Sequence, residues 1–84
     1  MGVRTYIKAE VPDGREAEAF GYLAELAPGE HPADTKRHAS SVTHWEVTRP
    51  GDVCDQIESQ IAAMDTNGIR ISVRVGGSDT AAPH

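Results

Sequence analysis

The 84-residue chain has little of several features that usually reveal what a small protein does. Its single cysteine, Cys54, cannot form an internal disulfide, so cysteine usage gives no sign of an oxidising compartment. No apolar run approaches the roughly 18 residues of a membrane span, and the first residues lack the pattern of a signal peptide. We therefore expect a cytoplasmic protein that does not associate with membranes.

Lysine and aromatic residues are also scarce. The chain has two lysines against six arginines, and aromatic residues make up 5% of it. Few lysines beside many Ala, Gly, Arg and Asp residues are typical of a GC-rich genome, such as that of an actinobacterium or its phage. The net charge of −5 argues against a protein that coats nucleic acid, since such domains are usually basic. The length predicts one domain, over residues 1–75, followed by a flexible tail at 76–84.

The charges that are present divide between two kinds of segment. The two helix-like stretches, 13–30 and 52–65, contain nine acidic residues and a single base, Arg15. The other segments are mostly strand-like and contain seven bases and four acids: Arg4, Lys8, Lys36, Arg37, Arg49, Arg70, Arg74, Glu10, Asp34, Glu46 and Asp79. This division predicts an acidic helical layer on one side of a sheet whose other side is mildly basic. Surface charge of this kind influences which partners a protein associates with more than it influences the fold.

The periodicity of apolar residues predicts the order of the elements. Strict alternation over 3–11, 42–48 and 69–75 is typical of half-buried strands, and apolar stripes at helical spacing mark the two acidic segments. The first stripe is Ala17, Phe20, Leu23, Ala24 and Ala27. Asp13 with Glu16 predicts a capping box for the first helix, and Asp52 predicts the N-cap of the second. A short polar run, Thr35–Ala39, is a candidate for one more strand. With it, the order is β-α-β-β-α-β, the ferredoxin-like arrangement, an α+β fold with an antiparallel sheet and two helices on one face. Without it, the alternative is a three-stranded βαβαβ sheet.

The uncovered face of this sheet is the expected binding site. The alternation places on it the residues that we single out for binding: Arg4, Tyr6, Lys8, His44, Arg70 and Arg74. Tyr6 is the expected anchor, because an outward aromatic between basic neighbours on a central strand suits a contact. We therefore interpret the chain as a small non-enzymatic protein-binding or regulatory module, an adaptor or inhibitor. It would engage a protein partner through this face or through the acidic helices.

Two other functional classes remain open alternatives. RNA or single-stranded nucleic acid could bind the sheet face, although a second stacking aromatic on the central strands is missing. A homodimer acting as a small-ligand sensor or cofactor-free monooxygenase is conceivable around His44 and Trp45, and a homodimer of the module itself is also open. We predict no cofactor, no metal site and no catalytic residue. The histidines and Cys54 form no tight ligand pair, and no nucleophile has a recognisable base and orienting group.

Overall fold

The structure, a computed structural model, describes residues 2–34 and 42–77. These residues form an α+β fold, an antiparallel sheet with two helices, which confirms the predicted class. The elements are β1 (Val3–Pro12), α1 (Glu16–Leu26), β2 (Ala33–Asp34), β3 (Val42–Pro50), α2 (Cys54–Ala63) and β4 (Arg70–Gly77). The last strand therefore extends two residues into the segment that was predicted to be a tail. Residues 78–84 lie outside the described part of the chain.

Three long strands make up most of the sheet. β1 lies in the middle and pairs antiparallel with β3 on one side and β4 on the other. β2 adds only two residues, with Ala33 opposite Glu46, so the strand order is β2-β3-β1-β4. The described sheet is therefore essentially three-stranded, with a two-residue extension beside β3. The predicted strand at Thr35–Ala39 lies outside the described residues.

The central strand alternates as its sequence predicts, and its backbone groups alternate with it. Every second residue of β1 from Thr5 to Val11 is fully buried. The N–H of Gly51 donates to the carbonyl of Val3 at 3.0 Å, which continues the β1–β3 register. Odd-numbered residues of β1 therefore direct their backbone groups to β3 and even-numbered ones to β4. Pro50, opposite Arg4, falls where the ladder between β1 and β3 requires no N–H.

The core lies between the odd-numbered strand residues and one side of the helices. In α1 the buried residues are Ala19, Leu23 and Leu26, and from α2 Ile57 is fully buried. The sequence had placed Ala17 and Ala24 on the buried stripe of α1, and this prediction is wrong because both are exposed. Small alanines on both sides of the helix leave its phase ambiguous, and contact with the sheet selects the side that carries the leucines.

Neither helix is capped as predicted. We expected Asp13 and Glu16 to form a capping box, but the N-cap of α1 is Arg15, with no side-chain cap. The N-cap of α2 is Val53 rather than Asp52, although Oδ1 of Asp52 accepts from the N–H of Cys54 at 3.3 Å. The N–H of Val53 donates to the Oγ1 of Thr5 at 2.9 Å. At the start of α2 a local side chain and a strand residue distant in sequence thus each pair one backbone N–H.

Within residues 2–34 and 42–77, neither helix is long and apolar enough to cross a bilayer.

Candidate functional site: the open sheet face

The side of the sheet opposite the helices is the candidate site, and we call it the open face. The strand registers place even-numbered residues of β1, β3 and β4 on it. In the described part of the chain, the core and both helices lie against the odd-numbered residues. The structure brings all six predicted binding residues together on this one face, with two carboxylates among them. The members are Arg4, Tyr6, Lys8, Glu10, His44, Glu46, Arg70 and Arg74.

Tyr6 lies at the centre of the open face, under a neighbouring arginine. The Cζ of Arg74 lies 4.4 Å from the centroid of the Tyr6 ring, a cation–π arrangement. The ring also lies against Gly76, where a Cβ atom would come within 3.0 Å of Tyr6 Cε1. Tyr6 is therefore half-buried by its own sheet rather than presented to solvent. The sequence showed an outward aromatic but not that Gly76 makes room for it.

The charged side chains of the open face pair across the strands. Nη2 of Arg74 lies 3.6 Å from Oε2 of Glu46, which reaches across β1 from β3. Nη1 of Arg70 lies 4.0 Å from Oε1 of Glu10. Pairs as exposed as these typically contribute no more than about 1 kcal/mol each, so they orient the arginines without fixing them in place. The guanidinium of Arg70, whose side chain is 80% exposed, remains accessible to a partner.

The open face has a surplus of positive charge. Arg4, Lys8, Arg70 and Arg74 supply four cations against the carboxylates of Glu10 and Glu46. Nη2 of Arg4 donates to Oγ1 of Thr48 at 2.9 Å, a neutral acceptor that leaves the charge of Arg4 uncompensated at that contact. On a chain with a net charge of −5, this face is therefore the basic side of the molecule.

One carboxylate on the helical side is committed to an internal cluster. Glu18 accepts from Nε and Nη2 of Arg15 at 2.9 and 3.0 Å, from Tyr22 Oη at 2.8 Å and from Asn67 Nδ2 at 3.1 Å. Arg15, then Tyr22 and Asn67, lower the pKa of Glu18 to about 2. Arg15 also donates to the carbonyl of Asn67 at 2.8 Å. This cluster connects the start of α1 to the turn before β4, so Glu18 is held in place by intramolecular contacts.

Two of the residues considered for chemistry, Trp45 and Cys54, occupy structural positions. Trp45 packs edge-on against Phe20, with ring centroids 4.8 Å apart, on the core side of β3. Burial, followed by the nearby carboxylates of Glu58 and Asp55, raises the pKa of the Cys54 thiol, which therefore stays protonated at neutral pH. Among the described residues, no group of three or more His, Cys, Asp or Glu side chains could hold a metal ion.

A groove that the sequence analysis missed runs between α2 and the edge of β4. Its volume is about 300 Å³, and its lining is mostly apolar: Glu58, Ile61, Ala62, Ile71, Ser72 and Val73. The alternation in β4 directs Ile71 and Val73 to this side. Only the sheet order reveals that no further strand of the described chain lies beyond β4.

Comparison with known proteins adds no functional assignment. No protein-family model matches the chain, and no curated protein matches it. Among solved structures, the de novo designed protein Foldit4 is similar, with 13% sequence identity and a TM-score of 0.47. The match covers 89% of this chain and 96% of that one. A likeness at this level carries no argument about function.

Proposed function

We propose that the protein is a small non-enzymatic binding module, of the adaptor or inhibitor type, that docks an acidic surface of a protein partner on its open face. The observation that carries the proposal is the concentration of four cations on one uncovered sheet face of an acidic protein. Complementary charge accelerates association and selects the partner's orientation. The same division of charge directs the acidic helices away from such a partner.

The geometry of the open face suits docking in two further respects. The face is built on paired strands, so its side chains start from a rigid backbone. Tyr6 and Arg74 form a packed centre, and an aromatic ring with an arginine is a combination enriched at the energetic centres of interfaces. Arg4 and Arg70, toward opposite ends of the strands, would then meet carboxylates around that centre.

For the fold we propose the ferredoxin-like arrangement, with β2 as a much reduced second strand. The element order β-α-β-β-α-β and the strand order β2-β3-β1-β4 support this proposal. We place the module in the cytoplasm, in line with its one free, half-buried thiol, Cys54.

The test is a tagged pull-down from native lysate with three forms of the protein. The first is wild type, the second has Arg4, Arg70 and Arg74 changed to Glu, and the third has three exposed helix acids changed to Lys: Glu25, Asp55 and Glu58. We expect a stoichiometric protein band with wild type and the helix variant, and none with the sheet variant. Circular dichroism of each form checks that it is folded.

Two outcomes would contradict the proposal. A band that only the helix variant loses would move the site to the acidic helices. Nuclease-sensitive absorbance at 260 nm would favour nucleic-acid binding on the same face, with the steep loss of affinity with salt that displaced counterions produce. The Tyr6 ring argues against that second outcome, because base stacking would have to displace Arg74 from it.

A further inference from the structure

The outer edge of β4 carries backbone groups that the described chain does not pair. Because even-numbered residues of β1 bond to β4, residues 70, 72, 74 and 76 of β4 use their N–H and C=O groups in that ladder. Ile71, Val73 and Val75 therefore direct theirs outward. No strand among residues 2–34 and 42–77 lies on that side of β4.

This edge lacks most of the devices that usually keep edge strands apart. Exposed edges are commonly protected by charged side chains, by proline, by short length, by bulges or by charged residues that point inward. The charged side chains of β4, Arg70 and Arg74, lie on the open face. β4 is eight residues long, contains no proline and carries only apolar side chains toward the helices. Val75 is 40% exposed. Together with the groove along α2, it forms an apolar strip beside unpaired backbone groups.

We propose that a second copy of this chain covers the edge, with the two β4 strands antiparallel about a two-fold axis through Val73. The two sheets would then form one continuous sheet. The open faces of the two copies would lie uncovered on the same side of this continuous sheet. The proposed dimer is therefore independent of the function proposed for the open face.

The sequence of β4 is self-complementary in this register. Val73 would face the partner's Val73, and Ile71 would face the partner's Val75. On the other side of the sheet, Arg74 would face the partner's Ser72, and Arg70 the partner's Gly76. These pairings set branched apolar side chains against each other and give each arginine a neutral partner directly opposite.

The neighbouring register is disfavoured by charge. A two-fold axis through Ser72 would also allow backbone hydrogen bonds between the copies, because it sets Ile71 opposite the partner's Val73 and both residues direct their backbone groups outward. It would, however, place Arg70 directly opposite the partner's Arg74 on both sides of the axis, and directly opposed like charges destabilise a strand pair. It would also leave Val75 beyond the paired core of the interface.

The Val73 register uses all three outward-facing residues of each strand. Three hydrogen-bonded residue pairs, each with two bonds, would form about six backbone hydrogen bonds. Each copy carries a net charge of −5, and Glu58 lines the groove of each. Added salt screens this repulsion and should strengthen the dimer, whereas it should weaken docking of an acidic partner on the open face.

Sedimentation equilibrium over a wide concentration range tests the dimer. We expect the mass to rise toward twice the 9.0 kDa of one chain, and more readily at high salt. Val75→Lys adds an inward-pointing charge at the edge and should shift the dissociation constant at least tenfold upward. Val3→Lys is the matched control, because Val3 is equally exposed but lies on a strand paired on both sides, and it should shift that constant much less.

Disulfide trapping tests the register. In a Cys54→Ser background, Val73→Cys would place two thiols on the axis, with Cα atoms about 5.5 Å apart, inside the range for a disulfide. Ser72→Cys would leave its two thiols on diagonal positions about 7–8 Å apart, too far for ready bridging. We expect oxidation to give a covalent dimer with Val73→Cys and little with Ser72→Cys.

Several results would overturn the proposal. A monomer at every concentration, a dimer that Val75→Lys leaves intact, or crosslinking by Ser72→Cys in place of Val73→Cys would each do so. A monomer that dimerises only after truncation at Gly77 would also overturn it, because the chain's own end would then occupy the edge. Val75→Lys should leave partner capture by the open face unchanged, so failure of the dimer and failure of the proposed function can be distinguished.

Discussion

Thr5→Val should destabilise the protein markedly, although it changes neither the size nor the shape of a side chain. Thr5 is fully buried on the core side of β1. Its hydroxyl accepts from the N–H of Val53 at 2.9 Å and donates to the carbonyl of Gly51 at 2.8 Å. The residue therefore joins the central strand to the turn from which α2 begins. Valine fills the same space and makes neither hydrogen bond.

The expected loss follows from the two backbone groups that lose their partner. A buried polar group left unpaired costs about 1–3 kcal/mol. Val53 and Gly51 are both half-buried, so water can partly replace the hydroxyl, and the lower end of that range applies to each. The added methyl group returns up to about 0.8 kcal/mol through burial. The net loss in the free energy of unfolding is about 1–2 kcal/mol, which for a domain of this size lowers Tm by roughly 5–16 °C.

Thermal and urea unfolding, followed by circular dichroism, would measure the loss. Thr48→Val is the matched control, because Thr48 lies on the open face and, among the described residues, its hydroxyl accepts from the side chain of Arg4 alone. We expect that variant to lose less than about 0.5 kcal/mol, as is usual for surface positions. Thr5→Ser keeps both hydrogen bonds and should retain more stability than Thr5→Val. Equal stability of Thr5→Val and wild type, or equal losses in Thr5→Val and Thr48→Val, would refute the role assigned to the Thr5 hydroxyl.

Two further predictions concern Glu18 and Gly76. The folded-state pKa of Glu18 lies at about 2, below its ordinary value of 4.5, so its contribution to stability is complete above pH 4.5 and is lost as the pH falls toward 2. Glu18→Gln should therefore lower Tm at pH 7 and have little effect near pH 2, and an equal effect at both pH values would contradict this reasoning. Gly76→Ala places a Cβ 3.0 Å from Tyr6 Cε1, so we expect it to shift the ring-proton NMR signals of Tyr6 and weaken partner capture. Gly2→Ala, with open space around its Cβ, should do neither, and unchanged Tyr6 signals in Gly76→Ala would show that the ring does not lie against Gly76.

The candidate site was predictable from the sequence as a set of residues but not as an arrangement. Alternation in β1 and β4 is a local property, and it places Arg4, Tyr6, Lys8, Arg70 and Arg74 on one face whatever the order of the strands. The position of the Arg74 guanidinium over the ring of Tyr6 depends on the cross-strand register. That register joins residues from the two ends of the chain, so no local pattern reveals it.

The capping prediction was wrong for α1 and only partly right for α2, where Asp52 accepts from the N–H of Cys54 but Val53 is the N-cap, and the reason is related. The sequence rule expects a short polar side chain at the start of a helix, and Asp13 and Asp52 match it. In the structure, the acceptor for the N-cap N–H of α2 comes from Thr5, which lies 48 residues away from Val53. Glu18, likewise, binds Asn67 across 49 residues. Local sequence rules identify the segments that form helices. They cannot predict a hydrogen-bond partner that is distant in sequence and comes close only when the chain folds.

The sequence by itself determined the three long strands, the two helices and the division of charge between the two sides of the molecule, because each depends on side-chain periods of 2 or 3.6 residues along a local segment. It did not predict the two-residue strand Ala33–Asp34. Tertiary structure alone decided which strands are central and which are at the edge. Val75 follows the same alternation as Val11, yet Val11 is fully buried and Val75 is 40% exposed. The reason is that burial depends on what lies on both sides of a strand. β1 has a neighbour on each side, whereas the described chain provides β4 with a neighbour on one side only.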